Sequence, residues 1–319
     1  MLQQLQNNPL RDRWKQCLLR DFPNGFEKVL EEAIASAFRL LGRIPRKKAM
    51  RLGRAVGRLW FFLDRRHRKV ALNNLTYVFG CEKSPVEVRQ MAEQVFANTA
   101  CILFEIGWAY RAESREIIGS IRFDGLENLR QAMKKEKGVL VLTGHLGSWE
   151  LLVAAIGVLG YPASIVYRPF DFRPLDSFFH KFRGRFRARL LPKYGAAKGI
   201  LKALRRKELV GILLDQNAGR AQGVFVDFFG KTACTNRGLA LMAQRTGAPV
   251  VPVFLVREGC GYRMDAGPEV GWIATGDPAD DISVNTRRYN QVLESYIRRY
   301  PEQWFWVHRR WKTRPAQID

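Results

Sequence analysis

Of 319 residues, only five are cysteine and four are histidine. Cys17, Cys81, Cys101, Cys234 and Cys260 are odd in number and widely spaced, with no C-x-x-C pair. That excludes a disulfide framework, argues against structural zinc, and fits a reducing compartment. All five read as packing residues, and no metal site is expected. Carboxylates are also scarce: 30 Asp and Glu stand against 53 Lys and Arg, for a formal charge of +23. Such a balance says little about fold but favours anionic partners. A long hydrophobic run is missing too. The longest apolar stretch, residues 151–167, is broken by Gly160 and Pro162, and it falls short of the roughly 20 residues a spanning helix needs. The first residues, "MLQQLQNNPLRDRWKQCLLRDF", lack the apolar core of a secretory signal. Membrane contact, if made, is therefore expected from the side. A G-x-S-x-G elbow is absent, and so is any zinc-finger, RNP-like or homeodomain-like pattern. This leaves nucleic-acid binding without a module despite the charge. Internal repeats and low-complexity segments are also missing.

What is present is a substantial core composition, with 47% apolar residues, organised in two parts. Residues 26–110 carry helical spacing, broken at Pro45 and restarted at Ser84-Pro85, an N-cap followed by the proline that suits a first helical position. Between Arg43 and Lys69 lie eleven Lys/Arg and one acid, Asp64. Leu52, Val56, Leu59, Trp60 and Leu63 can share one apolar face there. This is the composition of an amphipathic helix resting on an anionic membrane, or of a core-packed helix with a solvated basic face. From about residue 118, short β-rich runs (121–125, 138–143, 164–168, 209–215, 248–256) alternate with helical segments (to 136, 148–159, 174–190, 196–207, 283–299). Alternation of this kind predicts an α/β fold, a mainly parallel β-sheet flanked by helices with a helical N-terminal lobe. The seam falls near residue 115, giving a lobe over 1–115 and a body over 116–319 that can form one continuous domain.

The segment "LVLTGHLGSWELL" (140–152) ends a strand on Gly144 and His145, where reactive groups gather in such sheets. Glu150 follows in the first turn of the next helix. A carboxylate bonded to one imidazole nitrogen fixes the tautomer and supports the charge that develops as the other nitrogen takes a proton. His145 and Glu150 are thus candidate base and orienting acid, provided that the chain bends at "LGS". A plain helix start, with Glu150 favoured by the dipole, is the alternative. Arg168 follows the "SIVY" strand and suits a phosphate or an oxyanion. Arg183, in the arginine-dense "HKFRGRFRAR", could clamp phosphates or meet an acidic carrier. Asp215 ends "LVGILL" and could hold substrate hydroxyls, pair with an arginine, or serve as a structural cap. His308 in "WVHRRWK" reads as core packing beside surface charge. His67 and His180 lie in basic surface runs.

"HLGSWE" resembles the H-x4-D/E signature of glycerolipid-type acyltransferases, and in its flanks the bacterial lipid A biosynthesis (late) acyltransferase family. "VYRP" (166–169), "LLDQNAG" (213–219), "VDFFGKTACTNRGLALMAQRTGAPVVPVF" and "PEQWFWVHRRWKTRP" resemble that family's later segments in order. The likeness spans roughly residues 40–315, with Ser148 standing where asparagine is common. It implies transfer of a fatty acyl group from a thioester, with acyl carrier protein as the expected donor and a lipid A precursor as acceptor. His145 would be the general base oriented by Glu150. Arg168, Arg183 and Asp215 would hold phosphate, the oxyanion or substrate, with backbone N–H groups after Gly147 as further oxyanion donors. No cofactor is implied beyond the acyl thioester co-substrate. The implied partners are the carrier, a phosphorylated glycolipid and an anionic membrane surface, with no nucleic acid. The implied place is peripheral, on the cytoplasmic face of the inner membrane. Another glycolipid or a lysophospholipid acceptor keeps the same chemistry.

Overall fold

The computed structural model describes residues 24–315. The N-terminal segment read above for a signal, and Cys17 within it, lie outside the described residues. Among the described residues four helices come first: α1 (Asn24–Leu41), α2 (Arg46–Leu63), α3 (Arg65–Phe79) and α4 (Pro85–Arg111). Ser84 starts α4 as expected: its Oγ accepts from Glu87 N (3.3 Å) and its own N–H donates to the Glu87 carboxylate (2.8 Å). That reciprocal pair is a capping box.

The basic helix α2 does not bury its row of leucines. Its buried face is Ala49, Gly53, Gly57 and Phe61. Leu59 and Leu63 are 58% and 73% exposed, and Leu52, Val56 and Phe62 also face outward. The glycines set this choice. A Cβ at Gly57 would lie 2.3 Å from Phe96 O and 2.4 Å from Ala97 Cα on α4, so only glycine lets the two helix backbones come so close.

The body follows as α5 (Ser114–Gly119), β1 (Ile121–Asp124), α6 (Leu126–Met133), β2 (Val139–Thr143), α7 (Trp149–Val158), β3 (Ala163–Tyr167), α8 (Arg173–Gly184), β4 (Ala188–Pro192), α9 (Ala196–Arg205), β5 (Leu209–Leu213), β6 (Gly223–Phe228), β7 (Lys231–Asn236), α10 (Gly238–Thr246), β8 (Val250–Glu258), β9 (Gly261–Ala266) and α11 (Pro278–Arg299). Seven strands form one sheet in the order β1-β9-β8-β2-β5-β3-β4. From β8 to β4 every pairing is parallel, while β9 runs antiparallel to β8 and β1 pairs parallel with β9. The sheet is mainly parallel and flanked by helices, and β2 at its centre is buried along its whole length.

Two readings need correction, and one hairpin was not anticipated. The helix expected over 174–190 stops at Gly184, and Arg187, at φ +58°, leads into edge strand β4. Strands β6 and β7 form a hairpin turning on Phe229 and Gly230, both at positive φ (56° and 74°), the two-residue geometry that matches strand twist. Cys101 and Cys234 are buried, but Cys81 and Cys260 are exposed and so are not packing residues. The helical lobe and the body share cores on both sheet faces. Phe61 and Phe96 pack in one cluster with Leu142 and Trp306, and Phe38 and Ile106 in another with Val141 and Phe178.

Candidate active site

Strand β2 carries Gly144 and His145 to the carboxyl edge of the parallel strands, and β5 carries Asp215 to the same edge one strand away. A Cβ on Gly144 would lie 3.1 Å from Asp215 Cγ, so the missing side chain makes room for the carboxylate. His145 N–H donates to Asp215 Oδ2 (2.8 Å), and the His145 ring meets Asp215 Oδ1 through Nδ1 (2.9 Å). Trp304 Nε1 donates to Asp215 Oδ2 (2.8 Å). Asp215 is fully buried, which by itself would raise its pKa. The facing imidazole and the donated hydrogen bonds more than offset burial and hold the carboxyl down at about 2. Asp215 is therefore an ionised acceptor, the proton sits on His145 Nδ1, and Nε2 carries the lone pair. Nε2 lies 3.3 Å from Gln216 Nε2, and the imidazole ring lies 5.3 and 6.2 Å, centre to centre, from the rings of Trp149 and Phe305. The arrangement can take a proton from a bound hydroxyl.

Glu150 does not orient His145. Its carboxylate is clamped by Arg183, whose Nε and Nη2 donate at 3.1 and 2.7 Å. The reason is the helical geometry anticipated as an obstacle: Glu150 lies in the first turn of α7, pointing toward α8, while the chain's bend at Gly147 turns His145 toward β5. Gly147 has φ +65°, and a Cβ there would meet Leu255 O at 2.2 Å. Arg183 is consequently no open phosphate clamp. It is 8% exposed, lies over the rings of Phe179 and Tyr167 (5.0 and 5.6 Å), and keeps Nη1 buried without a partner. Its neighbour Arg185 caps α4 instead, donating to Ala109 O (2.8 Å) and Ala112 O (2.7 Å). Arg168 stands at the surface, paired with Asp171 at 3.2 Å and 63% exposed. The structure thus joins His145 with Asp215 and Glu150 with Arg183, and leaves Arg168 apart. Asp215 also pairs with histidine rather than with an arginine.

Of the backbone donors considered for an oxyanion, that of Ser148 is already engaged, as is the N–H of Gly147 itself. Gly147 N–H donates to Gln303 O (3.0 Å) and Ser148 N–H to Leu255 O (2.7 Å). Phe305 N–H in turn donates to His145 O (3.0 Å), so the closing segment clasps the histidine loop. Behind the loop, Ser148 Oγ donates to Glu105 of α4, which also accepts from Arg257 Nη2 (2.7 Å) and Nε (2.5 Å).

The sequence reading missed Trp304, Gln216 and His308. Burial pulls the His308 imidazole down to about 4, and its Nε2 accepts from Asn217 N–H (2.9 Å). Neutral His308 thereby fixes the turn that follows Asp215. The order of "LLDQNAG" and "WVHRRWK" along the chain was visible; that they touch is a product of topology. Among the described residues, no group of three or more His, Cys, Asp or Glu side chains could hold a metal ion.

A mainly parallel sheet flanked by helices, with a carboxylate-bound histidine at its carboxyl edge, places the chain among α/β proteins with a site at the strand ends. Residues 28–313 match the family described as Bacterial lipid A biosynthesis acyltransferase. The chain is 31% identical over 283 residues to a lipid A biosynthesis lauroyltransferase of Escherichia coli, covering 88% of this chain and 90% of that one. It is 30% identical over 269 residues to a lipid A biosynthesis palmitoleoyltransferase of the same organism, covering 83% and 85%. The chain belongs to the bacterial lipid A biosynthesis acyltransferase family, and it is an O-acyltransferase.

Proposed function

We propose that this enzyme moves a fatty acyl group from an acyl carrier protein thioester to a hydroxyl of a phosphorylated lipid A precursor, with His145 as general base and Asp215 as its orienting acid. The observation that carries the reading is the double hydrogen bond from His145 to the buried Asp215. In the step it supports, Nε2 takes the acceptor's hydroxyl proton as the oxygen attacks the thioester carbonyl. The tetrahedral oxyanion then collapses, the C–S bond breaks, and the leaving sulfur receives the proton from Nε2. The imidazolium that exists between these events faces a fixed carboxylate. That is where general-base catalysis gains its typical 10²- to 10⁴-fold. Gln216 must swing off Nε2 to admit the hydroxyl. Arg183, anchored by Glu150 and holding one unpartnered Nη1, is the arginine this reading assigns to the oxyanion. Arg168 is left for the acceptor's phosphate.

We place the protein peripherally on the cytoplasmic face of the inner membrane. The exposed apolar row of α2, interleaved with Arg51, Arg54 and Arg58, supports this, because apolar insertion and basic attraction to anionic lipid act together. Among the described residues, no helix is long and apolar enough to cross a membrane.

The deciding experiment gives purified protein radiolabelled lipid IV(A), with and without its Kdo sugars, and acyl carrier protein thioesters of several chain lengths, with His145→Ala alongside. A more apolar product made only by the wild type supports the whole reading. No product from folded protein with an active donor removes lipid A precursors as acceptors and moves the reading to another glycolipid or a lysophospholipid. Near-normal turnover by His145→Ala would sink the general-base role.

A further inference from the structure

From Ser177 to Lys207 the chain carries eleven Lys and Arg and no Asp or Glu. The fold disposes of six of these cations. Arg183 binds Glu150, and Arg185 caps α4. Lys181 pairs with Glu31 and Lys207 with Glu136, while Arg189 and Arg206 share Glu208. Five are left exposed with no carboxylate partner among the described residues: Arg187, Lys193, Lys198, Lys202 and Arg205. They are not scattered. Lys198, Lys202 and Arg205 lie at i, i+4 and i+7 on α9, opposite its buried face of Ile200, Ala203 and Leu204, and so form one stripe. Arg187 and Lys193 flank edge strand β4.

One end of this charged face, at Lys193 and the start of α9, reaches the edge of the sheet that holds the candidate site, while Arg187 lies at the opposite edge. Thr143 pairs with Leu213, Ile165 with Gly211, and Tyr167 with Pro192. The residue after β4, Lys193, is therefore level with Gly144, one residue before His145. Three strand spacings of about 4.8 Å separate β2 from β4, or about 14 Å across the sheet. A partner seated here would stand outside the site yet deliver a flexible arm into it.

Edge protection explains part of this charge, since charged residues blunt an unpaired strand. It does not explain α9, which has no open backbone to shield. A membrane fits poorly as well. Within 187–206 the one exposed large apolar side chain is Tyr194, at 69%, under the Lys193 ammonium at 5.4 Å. The row of exposed leucines, Leu52, Leu59 and Leu63, is on α2, which packs on α4 and not on α9 or β4. A face with cations and almost no apolar surface fits a water-soluble acidic protein.

We propose that the α9 stripe together with the β4 flanks is the docking surface for an acidic protein partner that carries the acyl thioester. The proposal rests on the carrier-bound donor put forward above. Its test is Lys198→Glu/Lys202→Glu/Arg205→Glu in the full chain, assayed with acyl carrier protein thioester and, separately, with the same acyl group on pantetheine. The apparent KM for the carrier-bound donor should rise by about tenfold or more, since steering of this kind changes encounter rates by 10 to 10³. Its steep salt dependence should flatten, and kcat/KM with acyl-pantetheine should stay unchanged. Equal loss with both donors, or loss with neither, overturns the docking surface while leaving the donor reading intact. Loss of pelleting with phosphatidylglycerol vesicles, with the carrier KM unchanged, assigns the face to membrane and overturns the proposal. A wild type that uses acyl-pantetheine but not the carrier thioester removes the donor reading and this surface together.

Discussion

His145 has one atom to offer and one state in which to offer it. Asp215 fixes both, because an ionised carboxylate on Nδ1 leaves Nε2 as the only basic nitrogen. Asp215→Asn keeps the volume but lets the amide hydrogen-bond to either tautomer. We expect kcat to fall by about 10² to 10⁴ with little change in KM, read by steady-state kinetics against the same variant's circular dichroism. Stability responds with a definite sign. The folded carboxyl sits at about 2, below its ordinary 3.8, so its contribution is fully present above the unfolded pKa and is lost as pH falls from about 4 toward 2. The size is on the order of 2 kcal/mol. Urea midpoints at pH 7 and pH 3 should therefore diverge more for wild type than for Asp215→Asn. Glu150→Gln tests the other pair: with half the anchor of Arg183 gone, kcat should drop and the pH profile set by His145 should stay in place. If Glu150→Gln moves that profile, Glu150 acts on the imidazole after all. Both carboxylates were visible in the sequence as strand-end or helix-start residues. Which one faces the histidine was not, because it depends on the bend at Gly147 and on which strand lies next to β2, and neither is encoded in a thirteen-residue window.

At the scale of elements, spacing was a good guide to what each segment forms and a poor one to which face it buries. The alternation after residue 118 gave the parallel sheet because buried strands and their crossover helices have separate periods. It failed over 185–190, where alternating Arg and apolar residues fit a helix and a strand about equally. On α2 the leucines marked an apolar face, but Gly53 and Gly57 mark the packed one. Two substitutions should separate these roles. Gly57→Ala drives a methyl into the Phe96 carbonyl and should cost at least the 1–3 kcal/mol typical of overpacking, seen as a lower urea midpoint. Leu59→Ser, on an outward side chain, should leave the midpoint within about 0.5 kcal/mol and weaken pelleting with anionic vesicles. If Leu59→Ser pellets like wild type, the outward row is not what holds the membrane.

Across the whole molecule, a buried charge pair adds to the shared cores in tying the lobe before residue 115 to the site. Glu105 on α4 reaches through the core to Arg257 at the end of β8 and to Ser148 under the histidine loop. Glu105 and the Arg257 side chain are 2% and 9% exposed. Such a pair adds little net stability, since the desolvation of two ions offsets their attraction, but breaking it strands a buried cation. Glu105→Gln should therefore cost about 3–5 kcal/mol and loosen the loop that carries His145, lowering kcat as well as the urea midpoint. Glu105→Gln with Arg257→Met removes the stranded charge and should recover a large part of both losses. If the double variant is no more stable than Glu105→Gln alone, the cost came from lost packing around Ser148. Recovery would mean that the helical lobe acts on catalysis through electrostatics in the loop's foundation, and that residues 116–319 without α4 would fold with Arg257 unpaired or not at all.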